Sequence, residues 1–308
     1  MKPIREHAGT IRVGRFSFRL ERTLRVPDDG HEHPLPPTFG AFPIYAFAAY
    51  SKQLSAAWRG RARYFIPIRQ WEALWISFDA PAWRPNAVQI FAGGMNVLTG
   101  DSSRRLQGRP QNYIVCPEQP WLDGFKTSQG CVRQFVAAPL DQGLTVAEQL
   151  GCQSNSLVSI RVIEAQPGRF PSRPPCGFRS PYTLESITMH FSDLGLGAGG
   201  IIQQKIYPDP YGLRTWNSSD STTIDIALLN SEAFCEITGQ QPPPSTISAI
   251  DYTRLGFPWF QLYDEDALDT KAARRMRGIE SLKIPDPSTG APVIRKLRRP
   301  KTREDKNA

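Results

Sequence analysis

Apolar and polar residues alternate along much of the chain, beginning close to the N-terminus. Phe16, Phe18, Leu20, Leu24 and Val26 share one parity, while Arg15, Ser17, Arg19, Glu21, Thr23 and Arg25 occupy the other. A period of two predicts a strand with one face on a core and a charged face in solvent. The same phase recurs at Val158, Ile160 and Val162, at Ile187, Met189 and Phe191, and at Ile224, Ile226 and Leu228. Residues 88–90 and 95–98 flank Gly93-Gly94, a pair suited to the positive φ angles of a two-residue hairpin turn. A second hairpin is expected around 127–130, leading into a strand over 131–138.

Helical signals are shorter. Thr145 and Glu148 have capping-box spacing, in which hydroxyl and carboxylate each satisfy a backbone N–H, and Gly151 closes the turn. Ser231 is placed to cap a helix over 232–238 that stops at Gly239. Two more helices are expected, over 245–255 after a proline run and over 264–277, where acidic residues lead and basic residues follow. Together these elements predict a β-rich α+β fold with antiparallel, sandwich-like sheets and short peripheral helices.

At 308 residues the chain is long enough to bury a large core. Strands of similar spacing lie on both sides of the Pro- and Gly-rich stretch 166–181, so one body over 1–282 is expected, with that stretch as the place where it would subdivide. Beyond it, 283–308 is rich in Pro, Lys and Arg and poor in apolar residues, the composition of a disordered tail. The formal charge of +8 resides in 271–308, and the rest of the chain is balanced. Such a tail can attract an acidic partner or nucleic acid through nonspecific electrostatics, but it holds no aromatics for base stacking.

Five cysteines, Cys116, Cys131, Cys152, Cys176 and Cys235, form no C-x-x-C pair, so neither a disulfide framework nor a metal site is expected. No cofactor is expected either. The opening MKPIREHAGT lacks the apolar run of a signal peptide, and the longest nearly apolar run, 41–50, falls short of the roughly 20 residues that cross a bilayer. A cytoplasmic setting follows as the expectation.

Gly195, Gly197 and Gly200 satisfy G-x-G-x-x-G, but the following IIQQKIYPDP does not open the helix that receives a pyrophosphate. A closely packed or flexible glycine loop is expected. Gly124-Phe125-Lys126-Thr127 reads as a turn, and His31-Glu32-His33 as an exposed loop without a third metal ligand. Asp123, Lys126, Arg133, Lys205, Tyr207 and Asp209 are the candidate catalytic groups, since a carboxylate and a lysine act as base and charge stabiliser when a pocket shifts their pKa values. The competing reading places the aspartates in turns, bonded to their own backbone. Trp121, Trp216 and Trp259 are the candidate binding residues.

The stretches PQNYIVCPEQPWLDGFKTSQGCVRQFVAAPLDQGLTVAEQL, LGLGAGGIIQQKIYPDPYGLRTW and YTRLGFPWFQLYDED resemble signature segments of an uncharacterised bacterial and fungal protein family, some of whose members are called integral membrane proteins. The resemblance spans roughly 22–266 and implies no particular activity. Family members tend to have Met-Tyr-Gln-Arg-Glu where this chain has Ile68-Arg69-Gln70-Trp71-Glu72, and the basic tail lies outside the resemblance. The functional expectation is a β-rich binding or assembly module for a protein or small molecule, with oligomerisation open to it. An enzyme using the Asp/Lys/Arg/Tyr groups is the alternative, and nucleic-acid association through the tail a weaker one.

Overall fold

The computed structural model describes residues 4–54, 58–153, 155–173, 194–257, 259 and 268–282. The strand expected at Ile187, Met189 and Phe191, Cys176 and the basic tail lie outside the described residues. Two sheets organise the molecule. The first runs in the order β1 (Ile4–His7), β2 (Thr10–Val13), β3 (Phe16–Thr23), β8 (Ala73–Asp79), β14 (Cys131–Pro139), β16 (Leu194–Gln203) and β4 (Glu32–His33). To it are added β5 (Thr38–Ala41) on β3, β12 (Trp121–Leu122) on β8 and β13 (Gly124–Phe125) on β14. The second sheet runs β10 (Met95–Asn96), β9 (Asn86–Ala92), β15 (Leu157–Ala165), β17 (Trp216–Leu229), β7 (Tyr64–Pro67) and β6 (Tyr45–Ala46), with β11 (Ile114–Cys116) also on β9. Pairing is antiparallel except for β16 with β4 and β17 with β7.

One apolar cluster draws Phe16, Phe18, Leu74, Ile76 and Phe135 from the first sheet and Val88, Ile90, Ile160 and Ile226 from the second. The sheets therefore bury their facing sides against each other, the sandwich-like architecture the alternation predicts. Gly93 and Gly94 adopt φ 59° and 85° between β9 and β10, and β13 pairs with β14 across the second expected hairpin. No helix among the described residues is long and apolar enough to cross a membrane.

The helices are α1 (Val146–Gln149), α2 (Ser231–Thr238) and α3 (Ala249–Arg254). The capping box at Thr145 and Glu148 is present. The cap of α2 is Asn230, whose side chain accepts from Ala233 N–H, and Ser231 is instead the first helical residue. Ser248 caps α3 through Asp251 N–H. Of the long helix expected over 264–277, residues 264–267 lie outside the described set. Residues 268–273 are non-helical, and only a 3-10 turn, Arg274–Gly278, follows. Tertiary bonding explains this: the Asp269 carboxylate accepts hydrogen bonds from Lys126 Nζ, Gly130 N–H and Ile206 N–H, and Thr270 N–H bonds the Ile206 carbonyl.

Several local expectations are corrected. The polar face of β3 is not solvated, for Ser17, Glu21 and Thr23 are buried. Glu21 is satisfied there by Arg19 Nε at 2.7 Å, Ser77 Oγ at 2.9 Å and Thr38 Oγ1 at 3.1 Å. His33 and Glu32 pair in parallel with β16 and do not form a free loop. Gly124 belongs to strand β13, where an added Cβ would lie 1.9 Å from the Arg133 carbonyl oxygen.

The glycine run is also strand, the body of β16. Its missing side chains admit neighbours: a Cβ on Gly197 would stand 2.7 Å from the Leu282 side chain, and one on Gly200 2.2 Å from the Pro27 carbonyl oxygen. Gly197→Ala is expected to destabilise the protein by about 1–3 kcal/mol by overpacking Leu282, read from the midpoint of urea unfolding. An unchanged midpoint would show that Leu282 moves aside freely.

Candidate functional site

The glycine strand helps to position a concavity on the molecule. After β3 the chain is held by buried Gln134 of β14, whose Oε1 accepts from Val26 N–H at 3.0 Å and whose Nε2 donates to the Leu24 carbonyl at 2.9 Å. Gly200 lets Pro27 close against β16, and β4 fixes His33 by pairing. The segment leading to α3 is tied down from the other side, with Thr246 Oγ1 donating to the Thr23 carbonyl and Arg22 Nη2 to the Pro244 carbonyl. Tyr252 of α3 makes edge contacts with Phe39 and Trp259.

Between these two segments lies a groove of about 620 Å³. Pro27, His33 and Pro34 line it from the loop, Ala249, Ile250, Thr253 and Arg254 from α3, and Trp259 completes the lining. Its volume falls within the ~300–1,000 Å³ range of small-molecule sites. Its polar groups already have partners: His33 Nε2 with Asp29 Oδ1 at 3.0 Å, Arg254 with Asp251 at 3.3 Å, and the Trp259 indole N–H with Thr253 Oγ1 at 3.2 Å. Ile247, Leu255 and Phe257, exposed large apolar residues, continue the same stretch of chain.

The six candidate catalytic side chains occupy separate settings. Asp123 is buried, donates its backbone N–H to Gln204 Oε1 at 2.9 Å, and leaves Oδ2 without a hydrogen-bond partner. Burial pushes its carboxyl up to about 7, against the opposing hydrogen bond from Trp121. Lys126 is buried with its ammonium 2.7 and 2.6 Å from the two Asp269 oxygens, and burial lowers its pKa against the pull of that carboxylate. Arg133 donates to the Gly199 carbonyl at 3.2 Å and stands 3.6 Å from Asp28, so it braces the loop beside the groove.

The backbones of Lys205 and Tyr207 bond the buried Gln119 and Gln111 side chains. Asp209 Oδ2 accepts from the Tyr113 hydroxyl at 2.6 Å and the Trp216 indole at 2.8 Å, and its Oδ1 accepts from Tyr211 N–H. The 121–126 and 204–209 stretches meet through Gln204, which accepts from Asp123 N–H, and through Asp269, which accepts from Lys126 and Ile206. Of the candidate binding tryptophans, Trp216 is buried and Trp121 half-buried on β12, while Trp259 reaches the groove.

A further cluster escaped the sequence reading. Arg22 is buried in the apolar parity of β3, and its Nε and Nη2 donate to Glu72 Oε1 at 2.9 and 2.5 Å. Its guanidinium lies 5.4 Å over the Phe42 ring. The visible signal was the interruption itself, a charged residue in phase between Leu20 and Leu24. Burial pushes the Glu72 carboxyl above its ordinary value, opposed by the Arg22 charge.

Cys116 and Cys131 are buried thiols and Cys152 and Cys235 half-buried ones. Among the described residues no group of three or more His, Cys, Asp or Glu is arranged to hold a metal ion. No protein-family model, curated protein or solved structure matches the chain.

Proposed function

We propose that the protein is a binding module whose ligand is a neutral, mainly apolar small molecule seated in the groove between the 27–34 segment and α3. The observation that carries this reading is the groove's chemistry: apolar walls of ligand size, with His33, Arg254 and Trp259 already paired to protein groups. A ligand rich in hydrogen-bonding groups would have to break those pairs, whereas an apolar one gains by leaving water. The free thiols support a cytoplasmic setting for this role.

Nile red, a neutral apolar dye, is expected to bind the purified protein saturably. Trp259→Ala and Ile250→Asp should each weaken that binding by about tenfold or more, equivalent to ~1.4 kcal/mol. Fluorescence titration measures it. Absence of saturable binding, or wild-type affinity in both variants, removes the groove as the site. The enzyme reading rests on Asp123, whose buried carboxyl has one unpartnered oxygen.

A further inference from the structure

Charge around Glu72 does not balance. Both of its carboxylate oxygens are engaged, Oε1 by two N–H groups of Arg22 and Oε2 by the backbone N–H of Arg69 at 3.0 Å. The Arg69 guanidinium is near enough to feel both the Glu72 carboxylate and the Arg22 charge, yet it forms no hydrogen bond with that carboxylate. Two cations therefore face one anion. The nearest other acid on β3, Glu21, lies on the opposite face of the strand and is bonded to Arg19, Ser77 and Thr38.

The donors are incomplete in the same place. Arg22 is 1% exposed, and its Nη1 is sealed from solvent without a hydrogen-bond partner; Arg69 Nε is likewise sealed and unpartnered. A buried guanidinium N–H left unbonded carries the full cost of losing water, and an uncompensated buried cation adds to it. One oxyanion would answer both deficits, supplying the missing negative charge and lone pairs for the free N–H groups. Arg69 is half-buried and Gln70 exposed, so the cluster is reached from the Arg69 side.

We propose that Arg22 and Arg69 form an oxyanion-binding site beside Glu72, with Arg22 Nη1 and Arg69 Nε as its donors and a small carboxylate or phosphate group as its ligand. The site is independent of the groove, since neither arginine lines it. Arg22 orients the ligand from a position fixed by Glu72, Pro244 and Phe42. Arg69 is held to Glu72 through its backbone N–H, which leaves its guanidinium for the ligand.

The test uses the full chain in sodium acetate and in sodium phosphate, at ionic strength matched with sodium chloride. The thermal midpoint should rise saturably with at least one anion, by about 3 °C at ten times its dissociation constant. Arg69→Gln, which removes the charge of a side chain that makes no hydrogen bond to Glu72, should abolish the rise. A response to acetate alone assigns a carboxylate ligand, and one to phosphate alone a phosphate. No saturable rise with either anion, or the same rise in Arg69→Gln, overturns the proposal. Saturable line broadening of the phosphorus resonance of inorganic phosphate by wild-type protein provides a reading that does not depend on the variant. Absence of both broadening and an acetate response would overturn it equally.

Discussion

Replacing Glu72 by alanine is expected to lower the stability of the protein by about 3–5 kcal/mol, enough to abolish much of the margin on which a domain folds. The carboxylate receives two N–H groups of Arg22 within 2.9 Å, and both partners are buried. Without it the Arg22 guanidinium remains in the apolar parity of β3 among Leu20, Leu24 and Phe42, with only the Pro244 carbonyl as an acceptor. The cost arises from an uncompensated buried charge more than from the ion pair itself. For that reason Arg22→Leu combined with Glu72→Leu should recover most of the loss, because two apolar side chains continue the pattern of the strand. Urea unfolding of the three proteins measures this. A double variant no more stable than Glu72→Ala would show that the pair is needed for more than charge balance.

Asp123→Asn is expected to stabilise the protein at pH 8 and to leave it nearly unchanged at pH 4. The folded-state pKa is raised to about 7 from an ordinary value of 3.8 by burial. Below 3.8 the carboxyl is protonated in folded and unfolded chains alike. Between that value and about 7 the unfolded chain releases its proton while the folded chain keeps it, so stability falls as pH rises; above about 7 the loss is complete. A shift of roughly three units corresponds to about 4 kcal/mol as an upper estimate. Asparagine has the same shape and no titration, so the variant should lose this slope. Equal stability differences at the two pH values would place the charge penalty elsewhere.

Features fixed by neighbouring residues were legible in the sequence. The Gly93-Gly94 turn and the Thr145 capping box are decided within a few residues, and both stand as expected. The α2 cap slipped by one because Asn230 and Ser231 are both good capping residues and only the backbone chooses between them. Distant partners were the hidden part. The glycine run looks like a loop locally, whereas Leu282 and Pro27 are what require it to be a bare strand. Lys126 looked like a free catalytic cation because Asp269, 143 residues away, was invisible as its partner. Trp259 was found as a binding candidate by residue type alone, and the groove that gives it a setting depends on packing between the 27–34 loop and α3.

The bond between Lys126 and Asp269 also bears on how the molecule comes into being. Synthesis delivers Lys126 long before Asp269, and Leu282, whose N–H bonds the Ala198 carbonyl and whose side chain seats on Gly197, comes later still. A nascent chain can form the β9–β10 hairpin at once, but its buried lysine has no counter-charge until most of the polypeptide has emerged. Neutralisation of Lys126 and the seating of Leu282 are thus late events in biosynthesis, completed only after every strand of both sheets has been made.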